Sequence, residues 1–200
     1  MNRALKRICV YCGSSNRVAE PYREVARQVG RHLARRGIGV VYGGGSVGLM
    51  GEVANAALAE GAEVIGVIPD KLQALELGHD GLTELCVVGT MHERKMMMAE
   101  RADAFIALPG GWGTLEEVFE VTTWTQLRYH EKPVGLLNAL GYYDHLVRFL
   151  SHAAEEGFIR SEHRGLLRVA SEVGALVDDL RTCPLPELDA AVLRAGRSLP

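Results

Sequence analysis

Short apolar runs that end near glycine or proline, each followed by a stretch of helical periodicity, recur along this chain, and few folds accommodate that alternation. Runs at 7–12, 38–42, 63–68, 84–88, 104–108, 133–137 and 166–170 read as strands. Helical spacing follows them. Val18, Tyr22, Val25, Ala26, Val29 and Leu33 lie on one stripe that continues to Arg36 and is stopped by Gly37. Further helices are expected at about 48–60, 92–101, 114–129, 142–156 and 171–181, whereas 70–82 reads as a long loop with at most one helical turn. Strands that alternate with helices of this length imply right-handed, parallel βαβ units. Near-continuous apolar strands imply a sheet covered on both sides. The expected fold is therefore α/β: a Rossmann-like, doubly wound parallel sheet with helices on both faces. It should form a single domain over residues 1–182, with 183–200 a loosely held tail. In such a sheet ligands bind beyond the carboxyl ends of strands, near the point where strand order reverses.

Composition narrows the function. The net charge of −3 lacks the broad basic face that a binder of polymeric nucleic acid needs. No apolar stretch approaches the roughly 18–20 residues that span a bilayer. The start is basic, but the apolar run at 8–12 is shorter than the core of a signal peptide, of about 7–15 residues. A cytoplasmic enzyme or binding domain is expected. Cys9 and Cys12 are spaced as C-x-x-C, yet on a strand positions three apart face opposite ways. With Cys86 and Cys183 standing alone, the cysteines read as small buried apolar residues, and no metal is assigned.

Glycine is the outlier, at 23 residues of 200, and two clusters carry the excess. GGGSVGLMG at 43–51 and PGGWGTLEE at 109–117 each join a strand to a helix start, where unpaired N–H groups and the helix dipole attract anions. One such turn is explained by tight backbone geometry alone; two at equivalent positions favour anion binding. Thr114 is placed to cap its helix or bind a phosphate oxygen. Neither turn contains Gly-Lys-Ser/Thr, which argues against a P-loop triphosphatase. Gly43, Gly45 and Gly48 satisfy G-x-G-x-x-G, and Asp70 follows at a distance suited to a ribose-binding acid. A nicotinamide-dependent oxidoreductase is therefore a rival, although this turn follows the second strand and the motif leaves the second turn unexplained.

Acid chemistry is attached to the second turn. Glu116 and Glu120 share a helix face, and Glu117 lies about 100° around from Glu116. Acids in a first helical turn are ordinarily solvated and favoured by the dipole. Upstream, MHERK at 91–95 puts Arg94 and Lys95 at a helix start, an unfavourable place for two cations unless an anion lies beside them. His92 reads as structural and Met96–Met98 as packing.

These segments together resemble the Lonely Guy family of cytokinin riboside 5′-monophosphate phosphoribohydrolases, often mislabelled lysine decarboxylases. The similarity also covers Tyr11–Ser15, Pro69, TWTQ at 123–126, KPVGLLN at 132–138, GYY at 141–143 and EEGFI at 155–159, so it runs over about residues 7–160. The resemblance implies hydrolysis of the N-glycosidic bond of AMP or an N6-prenylated AMP, giving free base and ribose 5-phosphate. It makes Arg94 and Glu117 the catalytic pair. It implies that the glycines of the second turn, Gly111 and Gly113 among them, and Thr114 hold the 5′-phosphate, and that Trp112, Leu115 and Glu116 belong to the same substrate-binding segment. Gly43, Gly44, Gly45, Glu76, Met91, Lys95 and Thr123 would line the rest of the site. Trp112 stands where the family commonly has tyrosine, and Arg128 where it has a small residue. A homodimer is also implied, with the helices carrying Trp124 and Tyr142 as candidate contacts. The physical chemistry agrees: an oxocarbenium-like transition state is stabilised by a carboxylate beside the sugar. Arg94 keeps its proton and cannot serve as a base. No metal or redox cofactor is required. A non-catalytic nucleotide sensor remains an alternative on the residues alone.

Overall fold

Seven strands form one wholly parallel sheet: β1 (Arg7–Tyr11), β2 (Gly39–Tyr42), β3 (Val64–Pro69), β4 (Glu84–Val88), β5 (Ala104–Ala107), β6 (Val134–Leu137) and β7 (Leu167–Ala170). Their spatial order is β4-β3-β2-β1-β5-β6-β7. The computed structural model describes residues 2–76 and 78–185, with 74–76 described by their backbone alone. Most of the tail expected to be loosely held, residues 186–200, lies outside the described residues. Cys183 is buried, and its carbonyl accepts from the Arg3 guanidinium at 2.6 Å, which ties the last helix to the chain start.

Strands β1, β2, β3, β5 and β6 are buried along almost their whole length, so both faces need cover. Helices α1 (Glu20–Arg35), α2 (Gly48–Ala59) and α7 (Val173–Thr182) cover one face through Val29, Leu33, Leu49, Val53, Leu176 and Val177. Helices α4 (Met91–Glu100), α5 (Trp112–Gln126) and α6 (Asp144–Glu155) cover the other with Met98, Val118, Val121, Leu146 and Val147. Cys9 and Cys12 fall in opposite layers, as a strand requires. Between α1 and α2 the backbones approach so closely that a Cβ on Gly30 would lie 2.4 Å from the Val53 carbonyl oxygen.

Three elements differ from the sequence reading. Residues 70–76 form a helix, α3 (Asp70–Glu76), longer than the one turn allowed for in the expected loop, because they pack back onto β3 and β4. Helix α5 starts at Trp112, two residues earlier than the periodicity suggests, with Gly111 at its N-cap. Helix α6 starts late: a 3-10 turn at Ala139–Gly141 places Leu140 at φ 55°, and Asn138 ties the turn to Asp144 at 2.7 Å. A second short turn, Ser161–His163, precedes β7.

The strand order reverses between β1 and β5. Tyr11 pairs with Ala107 there, and the two loops that leave this pair of strands form the crevice where ligands bind in such sheets. The loop after β5 is the PGGWG turn.

Candidate active site

The turn leaving β5 has its carbonyls committed to the protein. Leu108 O accepts from the Tyr143 hydroxyl at 2.6 Å, Pro109 O from Gly13 N at 3.1 Å, and Gly110 O from the Tyr142 hydroxyl at 2.8 Å. Gly111 O accepts from Leu115 N at 3.0 Å. Four consecutive carbonyls are thus bonded within the chain. Among the described residues, nothing accepts from the N–H groups of Trp112, Gly113 and Thr114 at the uncapped α5 start. A Cβ on Gly111 or Gly113 would meet no atom within 4 Å, so these glycines keep open space clear. Gly110 is glycine for another reason: a Cβ there would fall 2.1 Å from Thr114 Oγ1. Thr114 is buried over it, while Trp112 stands 90% exposed. Leu115 turns toward the α4–α5–α6 layer, its N–H already used by Gly111.

The first glycine turn is filled by the protein itself. A Cβ on Gly43 would lie 2.1 Å from Arg94 Nη2, and one on Gly48 would lie 2.4 Å from the Ser14 carbonyl carbon. Gly44 (φ 78°) and Gly48 (φ 61°) need the left-handed region. Gly48 N donates to Asn16 Oδ1 at 2.9 Å and Leu49 N to Gly13 O at 2.9 Å, so the first donors of α2 are satisfied within the chain. Gly45 forms an antiparallel bridge with Gly78, and His79 N donates to Gly44 O at 3.2 Å. The two turns that the sequence treats as equivalent are therefore different: one is open, the other seats Arg94. That packing also removes the main support for a dinucleotide at Gly43–Gly48. Asp70, offered as the ribose acid of that rival, starts α3 and is exposed.

Arg94 is buried. Its Nε donates to Val67 O at 3.1 Å and Nη2 to Gly43 O at 2.9 Å, while Met91 Sδ lies 3.9 Å from Nη1. No carboxylate among the described residues lies within ion-pairing distance of it. Lys95, also buried, donates to Glu116 Oε1 at 2.5 Å and Glu120 Oε1 at 3.0 Å. Thr90 and Glu93 close a capping box on α4. Within the chain, neutral backbone carbonyls accept from Arg94 and two glutamates from Lys95.

Glu117 lies three residues beyond Thr114, ~4.5 Å along the helix axis. Burial pushes its carboxyl up from 4.5 to about 7. Arg94 and Lys95 pull against that rise, while Glu116 and Glu120 add to it. Thr123 is six residues further on, on the exposed flank of α5, with its hydroxyl on Phe119 O at 2.8 Å. The backbone of Glu76 ends α3, close to the Gly45–Gly78 bridge; its side chain lies outside the described residues. Tyr142, a candidate subunit contact in the sequence, braces the turn through Gly110 and meets the Tyr22 ring edge-on. Trp124 packs into the α4–α5–α6 layer. Sequence reasoning passed over Asn16, Tyr143 and Glu120 as parts of the site's frame. Only the i, i+4 spacing of Glu116 and Glu120 hinted at one of them.

Comparison with known proteins assigns the chain to a family. Residues 50–180 match the family described as "Possible lysine decarboxylase". A cytokinin riboside 5′-monophosphate phosphoribohydrolase of Arabidopsis thaliana is 50% identical over 184 residues, covering 92% of this chain and 84% of that protein. One of Oryza sativa subsp. japonica is 51% identical over 172 residues, covering 86% and 71%. Among solved structures, the molybdenum cofactor binding protein of Rippkaea orientalis superposes with a TM-score of 0.64 at 23% identity, over 86% of this chain and 92% of that one. The molybdenum cofactor carrier protein of Chlamydomonas reinhardtii gives 0.64 at 22%, over 96% and 98%. These two share the fold. On sequence, the chain belongs to the Lonely Guy family, that of the cytokinin riboside 5′-monophosphate phosphoribohydrolases.

Proposed function

We propose that this chain hydrolyses the N-glycosidic bond of AMP or an N6-prenylated AMP, releasing the free base and ribose 5-phosphate. One observation carries the reading: an open helix start with unpaired N–H groups, one turn from a part-buried carboxylate that titrates near neutrality. In this reading Gly111–Thr114 hold the 5′-phosphate, and that remote binding positions the sugar over Glu117. Titrating at about 7, Glu117 is about half ionised at neutral pH. Its carboxylate offsets the positive charge that develops on the sugar as the C1′–N bond breaks. It also takes a proton from the attacking water, whose oxygen bonds to C1′; the departing base takes a proton at nitrogen from solvent, and Glu117 then returns its own proton to solvent. Arg94 contributes a fixed charge that keeps Glu117 ionisable.

Lysine decarboxylation fits less well. The ammonium groups of Lys95 and Lys132 are committed, the latter to Ala99 O at 2.7 Å, so neither is a free amine for an imine-forming cofactor. The homodimer expected for the family and the Rossmann-like single domain over residues 1–182 belong to the same proposal.

The deciding measurement is chromatographic detection of free base from AMP and from isopentenyladenosine monophosphate. The parent enzyme is expected to release base, with the better substrate identified by kcat/KM. Glu117→Gln should lose turnover by about 10²–10⁴-fold while still binding nucleotide. Full turnover in that variant would remove Glu117 from the mechanism.

A further inference from the structure

Lys95 and Glu120 take no part in the chemistry proposed above, yet they sit where a displacement would reach it. Arg94 and Lys95 are neighbours on α4, and Glu116 and Glu117 are neighbours on α5. The Lys95–Glu116 contact therefore sets the register of the two helices one residue away from each member of the reacting pair. We infer that Lys95, Glu116 and Glu120 form an ionic clamp between α4 and α5 that holds Glu117 in place. All three are then positioning residues for the hydrolysis, and Lys95 is not a phosphate ligand. This inference rests on the phosphoribohydrolase reading of the site.

The geometry supports the clamp. Carboxylates four residues apart on one helix face repel each other unless a cation lies between them. Lys95 supplies that cation, with contacts of 2.5 and 3.0 Å. Its side chain is only 11% exposed, whereas Glu116 and Glu120 are 54% and 25% exposed, so the ammonium is the member withdrawn from water. Burial opposes its charge, and the two glutamate contacts outweigh that and raise its pKa. Two of its three N–H donors are used. The triad carries a net negative charge, so a phosphate gains no net attraction from it.

The groups that face Glu117 come from three elements. Cys9, Tyr11 and Cys12 of the β1 end are driven up by burial and stay uncharged near neutral pH. The charges that Glu117 senses are Arg94 and Lys95 of α4 and Glu116 and Glu120 of α5. The triad offsets Arg94, which leaves Glu117 able to exchange a proton rather than locked in an ion pair.

The test compares the parent with Lys95→Met, Lys95→Arg and Glu120→Gln. The Glu117 carboxyl is followed by 13C NMR titration, its signal assigned by loss in Glu117→Gln, together with kcat/KM against pH and KM for AMP. Lys95→Met should raise the Glu117 midpoint by about one pH unit, and Glu120→Gln should lower it. In Lys95→Met kcat should fall at least about fivefold at pH 7, with KM for AMP within about threefold of the parent. The part owed to the raised midpoint should recover by about pH 9, while the part owed to a misplaced Glu117 should remain there. Lys95→Arg should retain the parent profile. A Glu117 midpoint unmoved in both Lys95→Met and Glu120→Gln overturns the clamp. So does a rise of about tenfold in KM with an unmoved midpoint, which would make Lys95 a phosphate ligand. If Lys95→Met does not fold, Glu120→Gln, a near-isosteric change, decides by the same titration. Failure of the parent to release base would overturn the reaction instead, while the titration still decides the clamp.

Discussion

Among the described carboxyl groups, Glu117 is the one that burial drives clearly upward. Its carboxyl titrates near 7 in the folded chain, against 4.5 for an unperturbed glutamate, and burial is the main cause. Between those two pH values the native chain keeps a proton that the unfolded chain has lost, so stability falls as pH rises through the window. The full cost, on the order of 3 kcal/mol at 1.36 kcal/mol per unit, is present above pH 7. Glu117→Gln removes it. That variant should be more stable than the parent at pH 8 by roughly this amount and equal to it near pH 4, as urea denaturation at several pH values will read. A difference that stays flat with pH would place the strain elsewhere. At this scale the family resemblance singled out Arg94 and Glu117, while nothing local in the sequence shows what faces them. Arg94 and Lys95 pointed to a bound anion, and the partners are Val67 O, Gly43 O, Glu116 and Glu120, brought there from other elements.

Among the elements, the turn between β5 and α5 does most to shape the site, and its neighbouring glycines serve opposite purposes. Gly110 makes room for Thr114, and Gly111 leaves room for something outside the chain. Gly110→Ala should cost about 1–3 kcal/mol through overpacking and lower the thermal midpoint. Gly111→Ala should leave the midpoint close to the parent's yet weaken AMP binding, measured by calorimetry. Equal effects on fold and affinity at both positions would contradict this division. The apolar runs and their punctuation located all seven strands to within a residue or two. They failed at 70–76, where weak periodicity hides a helix that exists because β3 and β4 offer it a surface. They also could not separate the two glycine turns. Asn16 and Ser14, far from Gly48 in sequence, are what close the first one.

At the scale of the molecule, a sheet ordered β4-β3-β2-β1-β5-β6-β7 puts its reversal between β1 and β5, so the open turn lies in the crevice while the packed one lies a strand away. On the α5–α6 side, Phe119, Val147, Leu150 and Val169 line a groove of about 270 Å³, and no residue of α6 is fully buried. An amphipathic helix left this bare suits the expected homodimer. Light scattering should give twice the 21.8 kDa chain mass, and Leu150→Asp should shift it to one chain. A monomeric parent would refute the dimer. No described helix is long and apolar enough to cross a membrane. What this sequence determined alone was its local order: strand, turn and helix, the fold class, and the resemblance carried by its glycine and MHERK motifs, because period and backbone freedom are properties of neighbouring residues. Only the folded chain decided which glycine turn stays open, which groups hold Arg94 and Lys95, and how far Glu117 is driven from its ordinary titration. Those depend on burial and on charges brought together from distant positions, and no local pattern encodes them.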